Sequence, residues 1–201
     1  MQETAPEKKY VGELFQLFVE RGMELTMEQV AERLHVTKKT LYNHFESKRA
    51  MADSVISHFV AGLERKIAVS FRPDDDAIMR LLKAGRIVPR EIARLKFAFL
   101  NGILGHYKEF FTFSDPSGFY YRMVRDNLLL GMKNGLYRKD ADMSALLLSH
   151  TAVLDYMYDR DNIARYYNHT RRYFAEFVKV YLFSVVNDDN RKLLSSYLEK
   201  V

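Results

Sequence analysis

The chain has 201 residues, enough for one large helical domain or for a small domain joined to a mid-sized one. It contains no cysteine, which excludes disulfides, cysteine nucleophiles and thiolate metal sites, while 48% of its residues are hydrophobic and can build a substantial core. The net charge is +5, yet residues 1–60 hold eight Lys/Arg against nine Asp/Glu; the basic excess in that part is local, with five bases and one acid between Arg33 and Arg49.

In chain order, the start "MQETAPEKKY" has no apolar signal-like stretch, and no later run approaches membrane-spanning length. The expectation is a cytoplasmic chain with no membrane partner. Residues 10–21 place Leu14, Leu17 and Phe18 on one stripe, which predicts an amphipathic helix, and Gly22 stands where a left-handed cap is common. "TMEQVAERL" opens on Thr26 with Gln29 three residues on, the pattern of a capping box. Thr37 and Ser47 read as the next two N-caps, the second before a long helix over about 48–71. "RPDDDA" is a linker, followed by a short helix over about 77–84 and another starting at Pro89 and running to about 111. After "FSDPSG" come predicted helices over about 119–134, 143–158 and 163–186, then a short last one. Strand signals are nearly absent, so the fold class is all-α: a three-helix N-terminal domain over 1–50 and a helical domain over 51–201.

The stretch "VTKKTLYNHFESK" explains its own apolar spacing if it is the second half of a helix-turn-helix. Ala31 is small where two helices touch, Val36 plugs the turn, and Leu41 and Phe45 point inward. The polar residues between must then face out. Lys38 and Lys39, in the first turn, can reach guanine O6 and N7, and Asn43 can pair with adenine. Thr40, Tyr42 and His44 are placed for flanking phosphates, and Lys48 opens the next helix, whose amides favour an anion. The full DNA-contact set is Thr26, Thr37, Lys38, Lys39, Thr40, Tyr42, Asn43, His44 and Lys48.

The segment "LTMEQVAERLHVTKKTLYNHFESKRAMADSVI", with its "TLYNHFESK", resembles the DNA-binding segment of TetR-family transcriptional regulators. The resemblance covers about residues 11–56. It implies three DNA-binding helices, a fourth leading into an all-helical ligand-binding domain, and last long helices that form a homodimer. It further implies repression of a double-stranded DNA operator, released by a small molecule whose identity the sequence does not name. Two features depart from the pattern: His35 replaces the usual turn glycine, at a position where the resemblance implies positive φ and histidine is one of the tolerated non-glycine types, and the N-terminal arm offers only Lys8 and Lys9.

Most aromatic residues lie beyond residue 72. On helix faces such residues fit a cavity for a flat or apolar ligand and also an ordinary core, and for any single residue the core is the preferred reading. Phe97, Asn101, Leu104, His106, Phe111, Tyr121, Arg122 and His150 are the ligand candidates, the polar members being the better pointers. Two C-terminal helices are apolar on two sides, as expected of helices that pack on their own core and on a second copy. Leu147, Leu154, Tyr166, Thr170, Tyr173 and Phe177 are the dimer candidates. No two histidines stand three or four apart, so no metal and no cofactor is expected. GxSxG, HExxH and Gly-rich phosphate loops are absent from the sequence, which argues against an enzyme. The alternative reading is a DNA-binding regulator of the same fold controlled by a protein partner.

Overall fold

The structure is a computed structural model that describes residues 8–110 and 112–199. Eleven α-helices make up the described residues: α1 Lys8–Arg21, α2 Met27–Arg33, α3 Lys38–His44, α4 Lys48–Ser70, α5 Ala77–Ile92, α6 Phe97–His106, α7 Phe119–Lys133, α8 Met143–Met157, α9 Arg160–Tyr166, α10 Thr170–Val185 and α11 Arg191–Glu199. No strand is found among them, only an isolated bridge between Tyr137 and Val186. The all-α class read from the sequence therefore holds.

The chain divides into two compact units, one drawn from Met1–Gly62 and Arg94–Phe111, the other from Leu63–Ala93 and Thr112–Val201. The expected division at residue 50 differs from this grouping, which places α6 with the N-terminal helices. In the first unit α1 packs on α6. Gly102 makes room there, since a Cβ at that position would meet Met23 Cβ at 2.9 Å. Phe15 stacks on Phe59 at 6.0 Å and meets Phe99 edge-on at 5.9 Å. Leu14, Val30, Leu41, Met51, Phe99 and Leu100 are fully buried around these contacts.

In the second unit α5 is the central helix, packed against α7 and most extensively against α10. Asp76 caps it, its side chain accepting from Met79 N–H at 2.9 Å. The predicted break before Pro89 does not occur: one helix runs from Ala77 to Ile92 with Pro89 inside its last turn. The buried stripe of Ile78, Leu81, Leu82, Gly85, Val88, Pro89 and Ile92 continues at helical spacing through that point. Burial along it outweighs the lost amide bond, and the helix ends within a turn of the proline. The predicted helix over 163–186 is likewise two helices, separated by a 3-10 turn at Tyr167–His169. There the Thr170 hydroxyl donates to Tyr167 C=O at 2.7 Å and closes the turn.

Polar bonds fix the loops of this unit. Asp155 accepts the backbone N–H groups of Phe113 at 2.7 Å and Ser114 at 3.1 Å. Tyr137 donates to Asn127 Oδ1 at 2.9 Å, and Asn127 donates to Ala77 C=O at 2.8 Å, so a buried chain of bonds ties three elements.

Candidate nucleic-acid interface

The local chemistry of residues 26–48 sets three helix starts in succession. At Thr26 the capping box is complete: Thr26 N–H donates to Gln29 Oε1 at 2.9 Å and Gln29 N–H to Thr26 Oγ1 at 3.3 Å. Thr37 Oγ1 accepts Thr40 N–H at 3.0 Å and starts α3. Ser47 Oγ accepts Ala50 N–H at 3.1 Å and starts α4. Between α2 and α3 the chain turns at His35, whose φ is +53°, the only non-glycine residue with positive φ among the described residues. The expectation for that residue is met. Val36 N–H then donates to Ala31 C=O at 3.0 Å and brings the helices together. Leu41 and Phe45 are 0% and 2% exposed, and Ala31 is buried opposite them.

With that anchor in place, Lys38, Lys39, Tyr42 and Asn43 are all exposed. Positions i, i+1, i+4 and i+5 form one face of a helix, so the row is a single outward surface at the start of α3. It carries two cations, a phenol and an amide, the donor and acceptor types that base edges and phosphates require. Lys38 is held by Glu28 of α2, whose carboxyl the Lys38 hydrogen bond keeps below its ordinary range. The Lys38 ammonium also lies 5.9 Å from the Tyr42 ring centroid. Lys39 makes no such pair among the described residues, which makes it the cation of the row most available to a ligand.

The other sequence candidates sort by what their side chains already touch. Thr26 and Thr37 serve as caps, and the Thr37 and Thr40 hydroxyls lie 2.8 Å apart. His44 is half-buried against Tyr10, ring centroids 5.0 Å apart, and its Nδ1 is enclosed without a partner. Its ring meets Tyr10 of α1 edge-on. Lys48 is half-buried at the first position of α4. The sequence reading missed Glu28, although its place in the first turn of α2 marks it as an acid favoured by the helix dipole.

The ligand candidates divide between the two units. Phe97, Asn101, Leu104 and His106 belong to the first unit; Tyr121, Arg122 and His150 belong to the second. Phe111 lies outside the described residues. Phe97 is exposed, Leu104 is buried in the core, and His106 stands at the surface with its Nε2 3.2 Å from Glu24. Arg122 bonds the Ser117 C=O at the surface. His150 is wholly buried, its Nε2 2.9 Å from the Tyr120 hydroxyl and its ring in contact with Phe177 and Tyr181. Burial lowers its pKa to about 3, so it is a neutral core residue.

Of the dimer candidates, Leu147, Leu154 and Thr170 are 3%, 0% and 1% exposed and fill the second unit's own core. Phe177 is half-buried against His150 and Tyr181. Tyr166 and Tyr173 remain accessible, with ring centroids 6.0 Å apart. The exposed large apolar residues of these helices are Leu148, Val153 and Tyr156 on α8, and Tyr173, one of the candidates, with Val180 and Phe183 on α10.

A helix-turn-helix opening an otherwise all-helical chain defines a class of DNA-binding protein. Residues 14–55 match the model for bacterial regulatory proteins of the tetR family. On that segment the chain is similar to the TetR family. An uncharacterized HTH-type transcriptional regulator of Bacillus subtilis (strain 168), YvaF, is 30% identical over 59 residues, 29% of this chain and 31% of that relative. Along nearly the whole chain the fold is similar to that of CprB, a TetR-family protein from S. coelicolor A3(2), with TM-score 0.66 and 19% identity over 98% of each chain. It is also similar to the fatty acid degradation regulator FadR of Bacillus halodurans, with TM-score 0.67 and 14% identity over 90% of this chain and 97% of that one. At such identities the likeness concerns the fold. No helix among the described residues is long and apolar enough to cross a membrane.

Proposed function

We propose that this chain is a homodimeric DNA-binding transcriptional regulator, a repressor released from its operator by a small molecule. The observation that carries the reading is the exposed row Lys38, Lys39, Tyr42 and Asn43 at the start of a helix anchored by Leu41 and Phe45. A helix presented by its N-terminal turn enters the major groove, where lysine and amide groups read base edges. Two copies related by a twofold axis would read half-sites one helical turn apart, roughly 34 Å. The exposed apolar row on α8 and α10 supports such a pairing, since two helices from each copy can close a four-helix contact over it. An effector would act by binding the DNA-competent and DNA-incompetent states with different affinity.

Selection of bound sequences from a random duplex pool tests the reading. The expected outcome is an inverted repeat whose preference is relaxed in Lys39→Ala. Failure of the wild-type chain to enrich any sequence, with random duplex bound equally well, would refute it.

A further inference from the structure

We propose that the cleft between α5 and α10 in the second unit binds a small anion with an apolar body. The proposal rests on the reading above only for its regulatory meaning; its geometry stands by itself. The cleft has a volume of about 680 Å3, within the range of small-molecule sites. It opens beside the closest approach of the two helices, where a Cβ on Gly85 would meet Val178 at 2.9 Å. Its floor is apolar: Leu82 and Val178 are 4% and 2% exposed, Pro89 is buried, and Leu198 of α11 closes one end.

Its rim is cationic. Arg86, Arg90, Arg171, Arg172 and Lys179 line it, and no acid is among the described lining residues. Arg90 Nε lies 3.3 Å from the buried Glu91, and Lys179 Nζ lies 2.8 Å from Glu176. Arg171 and Arg172 make no ion pair among the described residues. They are adjacent in the first turn of α10, where the helix dipole already disfavours positive charge. Like charges crowded over an apolar floor cost free energy in the empty protein, and a carboxylate or phosphate between them would cancel that cost with charge-assisted, forked hydrogen bonds. The apolar body of such a ligand would cover the floor. A neutral apolar molecule would leave the guanidinium groups unmatched, and a free inorganic anion would leave the floor wet.

Titration calorimetry of the full chain with decanoate, decyl phosphate, decanol and inorganic phosphate tests the site, all amphiphiles being kept below micelle concentration. Decanoate and decyl phosphate are expected to bind about tenfold or more tighter than decanol or inorganic phosphate. The double variant Arg171→Ala, Arg172→Ala is expected to lose that advantage, and the Lys pair at the same positions to recover part of it. Both residues are exposed, so the melting temperature of each variant should stay near that of the wild-type chain. Equal binding of decanol and decanoate, or unchanged decanoate binding by the Ala double variant, overturns the proposal. So does a double variant that loses affinity for random duplex while its decanoate binding stays unchanged, because the rim then serves DNA phosphates. Lys39→Ala separates the two readings: it should relax sequence preference on DNA and leave decanoate binding intact. A wild-type chain that selects DNA sequences and binds neither amphiphile refutes the cleft alone.

Discussion

The histidine buried in α8 makes stability depend on pH in a direction that follows from its surroundings. His150 lies among Tyr120, Phe177 and Tyr181, with the Tyr181 ring centroid 4.4 Å from its own. Desolvation alone brings its pKa to about 3 in the folded chain. An unfolded histidine titrates near 6.5. Between those values the unfolded chain holds a proton that the folded chain does not, so protons favour unfolding. Stability from this group is complete above pH 6.5 and is lost progressively as pH falls toward 3. At pH 5 the unfolded state lies about one and a half units below its own pKa, which amounts to about 2 kcal/mol relative to pH 8. His150→Gln keeps a polar group toward the Tyr120 hydroxyl but does not titrate. Urea unfolding of both proteins at pH 8 and pH 5 isolates the effect, because every other titratable group is common to the pair. The wild-type chain is expected to lose about 2 kcal/mol more than the variant over that interval. The variant starts lower at pH 8, so its absolute stability is not the test; the difference of differences is. Identical pH dependence in the two proteins would refute the assignment of His150 as a neutral core residue.

Other substitutions probe the remaining parts. Lys39→Ala should relax sequence preference, whereas Lys48→Ala should weaken operator and random DNA alike and reduce the salt slope by about one, both measured by anisotropy titrations across salt. Leu148→Glu with Val180→Glu places charge on the exposed α8 and α10 row and should yield monomer in sedimentation while the far-ultraviolet helical signal is retained; an intact dimer would move the interface elsewhere. Gly131→Ala puts a Cβ 2.1 Å from the Tyr137 ring, so the ring must shift and strain its bond to Asn127, and a loss of about 1–3 kcal/mol is expected in thermal melts. His35→Val should cost about 1–3 kcal/mol and His35→Gly little or nothing, since a β-branched residue fits positive φ worst; equal stability of the two would remove the left-handed turn from the argument.

The first unit was legible in sequence because its determinants are local. A capping box, a turn residue and a spacing of four between Leu41 and Phe45 each act over a few residues, and each appears in the structure where the sequence put it. Neighbours distant in sequence changed the rest. His44 has outward spacing on α3, but Tyr10 of α1 gives it an aromatic contact. Lys38 has the position of a base reader, and Glu28, ten residues earlier, pairs with it. Pro89 has the chemistry of a helix start, yet the stripe facing α10 carries the helix through it.

The second unit shows what periodicity cannot decide. A helix apolar on two sides announces that both sides are covered, without saying which one the chain covers by itself. Neighbouring positions on a helix are about 100° apart, so Leu147 and Leu148 face different surroundings although either satisfies the pattern. The structure resolves the choice through packing: α8 and α10 turn Leu147, Leu154 and Phe174 into the unit and leave Leu148, Tyr156 and Val180 outside. The same ambiguity applied to the aromatic residues. Phe113, Tyr120, Tyr158 and Phe174 pack against one another, ring centroids 5.1 to 6.4 Å apart, as an aromatic cluster of the core. Charge escaped the sequence reading for a related reason. Arg86 and Arg90 lie some eighty residues from Arg171 and Arg172 and look like ordinary solvated positions on separate helices. The close contact of Gly85 with Val178 brings the two helices together, so that these residues line one rim.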